Sequence, residues 1–379
     1  MDELSKNKSQ TITKEKHSRF LRNIIVKGYK LYDEISIELD NRNIIVGPNG
    51  SGKSAFLSIF DMLHHLAIGE FQIYVERQGG AAEILHGGPD KTKEIEIEIW
   101  FEDENTTDKD GYAIRLSYEH NRLLITEEAV LYETKGQTKP VREVISKYPH
   151  TESVLKSWAI TNKNKKCYVY QDFVSSIVYH FCDTGWTSRM KGSVDIYQTD
   201  KLWWDGGNIA AYLYYLQMMY PESYQEIVNT IRKVSQSFVD FHLKPNDKSN
   251  PPILRLEWIC QENRIHPPQS LSDGTLRFIC LSTLLLQPPQ KMPSIILIDE
   301  PEIGLHQSAI EILDGMIKNA SKHRTVIVTT HRTTAARRPL PSGMGRSAAF
   351  PPLVKCGSRN VVAYEHAADE TILGITEKL

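Results

Sequence analysis

Gly47-Pro48-Asn49-Gly50-Ser51-Gly52-Lys53-Ser54 is the stretch on which the reading of this chain turns. It fits the pattern G-x-x-x-x-G-K-S. The glycines let backbone N–H groups turn inward around a phosphate with no Cβ in the way. A helix starting at the end of the loop points the positive end of its dipole at the same phosphates. Lys53 is then placed to bridge the β- and γ-phosphates of a nucleotide, and the Ser54 hydroxyl to bind Mg²⁺. The pattern requires a strand before it and a helix after it. Ile44-Ile45-Val46 reads as a short apolar strand, and Phe56, Ile59, Phe60, Leu63 and Leu66 recur at helical spacing up to Gly69.

On either side of this unit the texture is β-rich. Residues 21–26 and 35–39 read as two strands around a turn, and Glu94-Ile95-Glu96-Ile97-Glu98-Ile99 alternates strictly, as a half-buried strand does. Asp110-Gly111 is a hairpin signal, and strands are expected near 112–118 and 122–132. An antiparallel lobe therefore follows the phosphate loop. Residues 1–17 form a polar lead-in, 18–134 the first lobe, and 135–250 a mostly helical, aromatic-rich insertion in which Trp203, Trp204, Tyr212, Tyr215 and Tyr224 crowd together. A packed core explains these aromatics more simply than a platform for bases. No heptad run predicts a long coiled coil.

The α/β texture returns over 251–331. Ile295-Ile296-Leu297-Ile298-Asp299-Glu300 is a buried parallel strand that ends in two carboxylates, at the strand end where α/β ligand sites lie. Asp299 is the candidate to hold Mg²⁺ through water, and Glu300 to polarise an attacking water. Leu271-Ser272-Asp273-Gly274-Thr275-Leu276-Arg277 precedes a helix that is apolar on most faces. Ser272 and the Gly274 amide there make either an anion site or an ordinary N-cap. His331, directly after a strand over 325–330, is a candidate to contact the γ-phosphate, although a lone histidine is more often structural.

Bulk composition narrows the classes. A net charge of -2 over 379 residues offers no global attraction to nucleic acid, so any DNA contact needs a local patch. Asn162-Lys163-Asn164-Lys165-Lys166 and the tail arginines are the candidates. The five cysteines are scattered and form no C-x-x-C pair, which argues against a disulfide framework or zinc site and fits a cytoplasmic protein. No apolar run is long enough to span a bilayer, and the acidic start at Asp2 and Glu3 is unlike a signal peptide. No Asp-x-Asp metal cluster follows Glu300, so a fused nuclease is not expected.

The order of loop, Leu-Ser-x-Gly, Asp-Glu and His resembles the ABC-type ATPases. Within them, Gly-Pro-Asn-Gly-Ser-Gly-Lys-Ser and Asp299-Glu300-Pro301-Glu302-Ile303-Gly304-Leu305-His306 resemble the RecF/SMC-like branch. Tyr179-His180-Phe181-Cys182-Asp183-Thr184 and Asp205-Gly206-Gly207-Asn208 are similar to a group of bacterial predicted AAA-family ATPases. The resemblance implies an α/β fold of mixed-sheet P-loop core plus antiparallel β lobe, with ATP and Mg²⁺ as cofactors. It also implies a homodimer or higher homo-oligomer in which Ser272 and Gly274 of one chain cap the γ-phosphate held by Lys53 of the other. A separate effector protein and a setting in DNA maintenance or anti-phage defence go with it. Gln78, in Arg77-Gln78-Gly79-Gly80, lies where such proteins often place a glutamine that contacts Mg²⁺; an exposed turn is the alternative. A transporter subunit is the competing class, disfavoured by the long aromatic insertion between Lys53 and Ser272. The tail over 332–379 departs from the family. It carries arginines and, through residue 364, no acidic residue, and is expected to be irregular.

Overall fold

The computed structural model describes residues 19–106, 108–134, 140–162 and 168–331, together with the backbone of two strands at 354–356 and 359–363. The polar lead-in, Lys163 to Lys166, and most of the tail lie outside the described residues.

Two six-stranded sheets organise the chain. In the antiparallel one the order is β2-β1-β4-β5-β6-β7. Its strands are β1 (Arg19–Tyr29), β2 (Tyr32–Glu38), β4 (Glu94–Asp103), β5 (Lys109–Glu119), β6 (Arg122–Glu133) and β7 (Val141–Ser146). The alternation read in β4 is real: Ile95, Ile97, Ile99 and Phe101 are buried. Between them, Glu96 and Glu98 face outward and pair with Arg115 at 2.7 Å and Arg142 at 3.7 Å.

The turn signal at Asp110-Gly111 is misplaced by the sequence reading. The pair sits inside β5, opposite Phe101 and Trp100. A Cβ on Gly111 would lie 2.3 Å from the Ile99 carbonyl oxygen, so glycine serves close strand approach here. The β4–β5 turn falls before it, closed where the Asp103 N–H donates to the Asp108 carbonyl at 3.0 Å. The next turn, between β5 and β6, is made by His120 and Asn121, both left-handed with φ of 48° and 63°, which matches the right-handed twist of the flanking strands.

The second sheet is parallel except at one edge. It comprises β3 (Arg42–Val46), β8 (Val178–Tyr179), β14 (Ile295–Asp299), β15 (Thr325–Thr330), β16 (Val354–Cys356) and β17 (Arg359–Ala363). The order is β16-β17-β3-β15-β14-β8. The tail expected to be irregular thus contributes two strands, and β17 runs parallel to β3.

Period-2 alternation divides this sheet between two cores. Ile45, Ile295, Leu297 and Ile327 face the antiparallel lobe and helix α1 (Lys53–Ile68). Ile44, Val46, Ile296, Ile298, Val326 and Val328 face a second core. That core is built with α6 (Ile209–Met219), α7 (Pro221–Val234), α8 (Asp273–Leu286) and α9 (Gln307–Ala320). The shorter helices are α2 (Phe71–Arg77), α3 (Ala81–Ile84), α4 (Leu155–Thr161) and α5 (Val169–Ser175).

Residues 135–250, expected to be mostly helical, carry the helices α4 to α7, with Tyr212 and Tyr224 buried in the second core. The same stretch also supplies β7 and β8 to the two large sheets. Further strands from this region and beyond it form two small sheets. In one, β9 (Val194–Asp195) pairs with β11 (Ile253–Leu254); in the other, β10 (Phe238–His242) pairs with β12 (Glu257–Cys260), which also pairs with β13 (Ile265–His266). Among the described residues no helix is long and apolar enough to cross a membrane.

Candidate active site at the carboxyl edge of the parallel sheet

Val46 pairs with Thr330, Thr329 with Asp299, and Ile298 with Tyr179. The residues that follow these strands therefore emerge side by side: the phosphate loop, His331, Glu300 and His180. Crevices at such strand ends are where open α/β sheets bind ligands.

The loop is built as its glycines require. Gly50 and Gly52 have φ of 79° and 99°, and α1 begins at once with Lys53. The Tyr32 hydroxyl donates to the Gly52 carbonyl at 2.8 Å, which ties the loop to the β1–β2 hairpin. Lys53 Nζ donates to the carbonyls of Gly47 at 2.7 Å and Pro48 at 3.0 Å, and lies 3.1 Å from His331 Nδ1. Burial holds the Lys53 ammonium below the usual lysine range, against the pull of Glu300, Asp299 and Glu302. A lysine ammonium only donates, so Nδ1 of His331 accepts from it and Nε2 carries the ring proton. That Nε2–H meets Glu300 Oε1. Lys53, His331 and Glu300 thus form one connected line.

Glu300 is left-handed, with φ of 47°. Its N–H still donates to the Thr329 carbonyl at 3.0 Å, so the sheet pairing runs one residue past β14 before the chain turns. Single residues held in this region cost on the order of 1–3 kcal/mol, and here the conformation serves to aim a side chain. The Thr329 hydroxyl donates to Asp299 Oδ1. The Thr330 hydroxyl donates to Glu302 Oε1.

The chain has the donors for a nucleotide and its metal. Ser51 Oγ, inside the loop, is buried with no hydrogen-bond partner among the described residues, as a group waiting for a phosphate oxygen would be. Ser54 is exposed in the first turn of α1, where N–H groups have no intrahelical acceptor. Ser54 Oγ and the Asp299 carboxylate are the oxygen ligands that suit Mg²⁺.

Of the residues read from sequence, the loop, Asp299, Glu300 and His331 come together. Gln78 does not join them. It caps α2, and its amide oxygen accepts from Lys30 Nζ at 2.7 Å. That lysine in turn contacts Ser58, on the second turn of α1. The side chain that stands beside Asp299 is His180, whose Nε2 is 3.1 Å from Asp299 Oδ2. The Cys182 thiol draws the His180 imidazole above the usual histidine range, aided by the carboxylates of Asp299 and Glu300 and opposed by partial burial.

Ser272 is exposed and Gly274 half-buried at the start of α8. Ser272 Oγ accepts from the Thr275 N–H at 3.2 Å, as an N-cap. No described hydrogen bond joins it to the phosphate loop of its own chain. A Cβ on Gly274 would lie 2.3 Å from the Gly304 carbonyl oxygen, so the start of α8 is pressed against the loop after β14. Arg277 reinforces the junction, donating to the carbonyls of Phe181 at 2.9 Å, Cys182 at 3.2 Å and Ile303.

Sequence reasoning assigned no role to His180, Glu302, Thr329 or Thr330. Glu302 and His180 stood inside quoted motifs, yet only strand adjacency gives them partners.

A phosphate loop, a strand ending in Asp-Glu, a Leu-Ser-x-Gly helix start and a histidine after the neighbouring strand define an ABC-type P-loop ATPase head of the RecF/SMC-like kind. The family profile described as RecF/RecN/SMC N terminal domain matches residues 20–339. The chain belongs to that family.

One solved structure supports the fold, and two others are similar over comparable shares of the chain. An SMC head crystallised bound to the C-winged helix domain of ScpA is 16% identical, over 83% of this chain and 90% of that one, with a TM-score of 0.53. An SMC head domain from Thermotoga maritima is 19% identical over 82% and 89%, with a TM-score of 0.43. A Pyrococcus furiosus SMC head with an extended coiled coil is 16% identical over 83% and 90%, with a TM-score of 0.46. No coiled-coil arm is present among the described residues, whose longest helix is α1 with 16 residues. No curated protein matches the chain in sequence.

Proposed function

We propose that this protein binds and hydrolyses ATP and works as an ATP-dependent dimerising switch. The observation that carries the reading is the connected line Lys53–His331–Glu300 beside Asp299, with Ser272 exposed and Gly274 half-buried at the start of α8. One chain supplies a phosphate cradle and a candidate base. The capping serine and glycine of the same chain make no described contact with that cradle, so a second copy completes the site.

Lys53 and the loop N–H groups hold the β- and γ-phosphates. Glu300 takes the proton of the attacking water, and His331 holds Glu300 through Nε2–H. Ser54, and Asp299 through water, would hold Mg²⁺, which would supply charge neutralisation to the phosphate oxygens when bound. Arg277 links the α8 start to the loop that follows Glu300, so docking of a partner chain on Ser272 bears on the base. A separate effector protein reads the dimer, in keeping with the ScpA domain seated on the matched SMC head. We assign the switch to DNA maintenance or anti-phage defence on family likeness.

Glu300→Gln tests the reading. With ATP and Mg²⁺ it should lose turnover by roughly 10²–10⁴-fold, the usual share of a general base, and light scattering should show twice the monomer mass. A variant that stays monomeric at saturating ATP sinks the sandwich.

A further inference from the structure

We infer that His180 is a positioning residue that fixes the Asp299 carboxylate for the metal. The inference rests on the reading of Asp299 as a metal-holding residue and adds to it a residue outside the motifs that define the site.

The placement follows from strand register. β8 is only two residues long and runs parallel to β14, with Val178 opposite Leu297 and Tyr179 opposite Ile298. The next residue on each strand is then a neighbour of the other, which sets His180 beside Asp299. The His180 backbone N–H donates to the Trp204 carbonyl at 3.0 Å, so the chain is anchored where it leaves the sheet.

The side chain is oriented at both nitrogens. Nδ1 lies 3.7 Å from Cys182 Sγ, and Nε2 lies 3.1 Å from Asp299 Oδ2. A carboxylate oxygen only accepts, so Nε2 carries the proton in this contact. The other carboxylate oxygen, Oδ1, receives the Thr329 hydroxyl from the strand on the opposite side. Asp299 is therefore gripped once on each oxygen, by β15 on one side and by the residue after β8 on the other. An ionised carboxylate has about four acceptor sites, so a free lone pair remains on each oxygen for a metal-bound water.

An exposed histidine–carboxylate contact by itself contributes little. This one differs because Asp299 is 9% exposed while the His180 side chain is 45% exposed. The histidine closes the solvent side of a buried carboxylate that has no second surface partner among the described contacts. Outer partners that orient a metal ligand are worth roughly 10–100-fold in metal affinity.

The test compares the wild-type protein, His180→Ala and His180→Gln by titrating Mg²⁺ into protein with a fluorescent ADP analogue, with a parallel titration in EDTA. In His180→Ala the Mg²⁺ concentration at half effect should rise about 10–100-fold while affinity in EDTA stays unchanged. His180→Gln, which keeps an N–H at the place of Nε2, should recover most of the loss. An unchanged Mg²⁺ midpoint in His180→Ala, or an equal loss of affinity in EDTA, overturns the inference and leaves the ATP reading standing. A wild-type protein whose nucleotide affinity ignores Mg²⁺ overturns both.

Discussion

The backbone N–H of His331 donates to Glu302 Oε1 across 3.2 Å. The same oxygen receives the Thr330 hydroxyl, and Glu302 is only 4% exposed. Through this one carboxylate the end of β15 is fastened to the loop that leaves β14. The two residues that flank the candidate base, one in sequence and one in space, are thereby held in a single frame.

Removing that acceptor should be costly. Glu302→Ala takes the carboxylate acceptor away from the His331 N–H and from the buried Thr330 hydroxyl, at about 1–3 kcal/mol. For a chain of this size the melting temperature should fall by roughly 2–4 °C per kcal/mol, read by calorimetry. Glu302→Gln retains an acceptor oxygen and should fall less. A raised melting temperature in Glu302→Ala would mean that burying the charge outweighs its hydrogen bonds.

Lys53→Ala removes the only ammonium that touches the loop carbonyls of Gly47 and Pro48 among the described contacts. Hydrogen bonds to a charged group are worth about 1.5–3 kcal/mol each, so ATP affinity should drop at least tenfold in a fluorescence titration. Equal affinity in variant and wild type refutes the phosphate-loop assignment.

Gly274→Ala would drive a methyl group against the Gly304 carbonyl, given the 2.3 Å separation. Forced contacts of this kind cost about 1–3 kcal/mol. The start of α8 should be displaced from the loop after β14. ATP should then still bind to Lys53 in a titration, but the ATP-dependent dimer should weaken in light scattering. A dimer of wild-type stability would show that the α8 start is not part of the interface.

Asp110 carries a pH dependence opposite to that of an ordinary salt-bridged carboxylate. Burial pushes its carboxyl up to about 6 from 3.8, although Arg19 beside it pulls down; the nearby Asp172 competes for the same guanidinium. The folded state thus binds this proton more tightly than the unfolded chain. The group's contribution is complete below 3.8 and is lost as pH rises to about 6. Between about pH 4 and pH 7 the unfolding free energy of the wild type should fall relative to Asp110→Asn, by up to about 3 kcal/mol in urea titrations. A constant difference across that range would contradict the shift.

Much of this was legible in the sequence, and the reason is locality. The phosphate loop needs a strand, a turn rich in glycine and a helix within some thirty consecutive residues, and each announces itself by period or composition. The strand 295–299 is a continuous apolar run that stops at two carboxylates. β4 shows its buried face by alternation alone. These features do not depend on what lies across the sheet.

Gln78, His180, Glu302 and the pair Asp110-Gly111 were decided elsewhere. The family resemblance places Gln78 near the metal, yet its amide oxygen accepts from Lys30. Asp110-Gly111 has the composition of a turn, yet the crowding of Ile99 against Gly111 keeps it inside a strand. β8 has two residues, too few for any periodicity, and acquires its place only by pairing with β14. The sequence by itself determined the cradle, the Asp-Glu strand end and the alternating lobe, because each is written in contiguous residues. Only the tertiary structure decided which side chains stand around Asp299 and Glu300, because adjacency of strand ends is a property of the sheet and of no single segment.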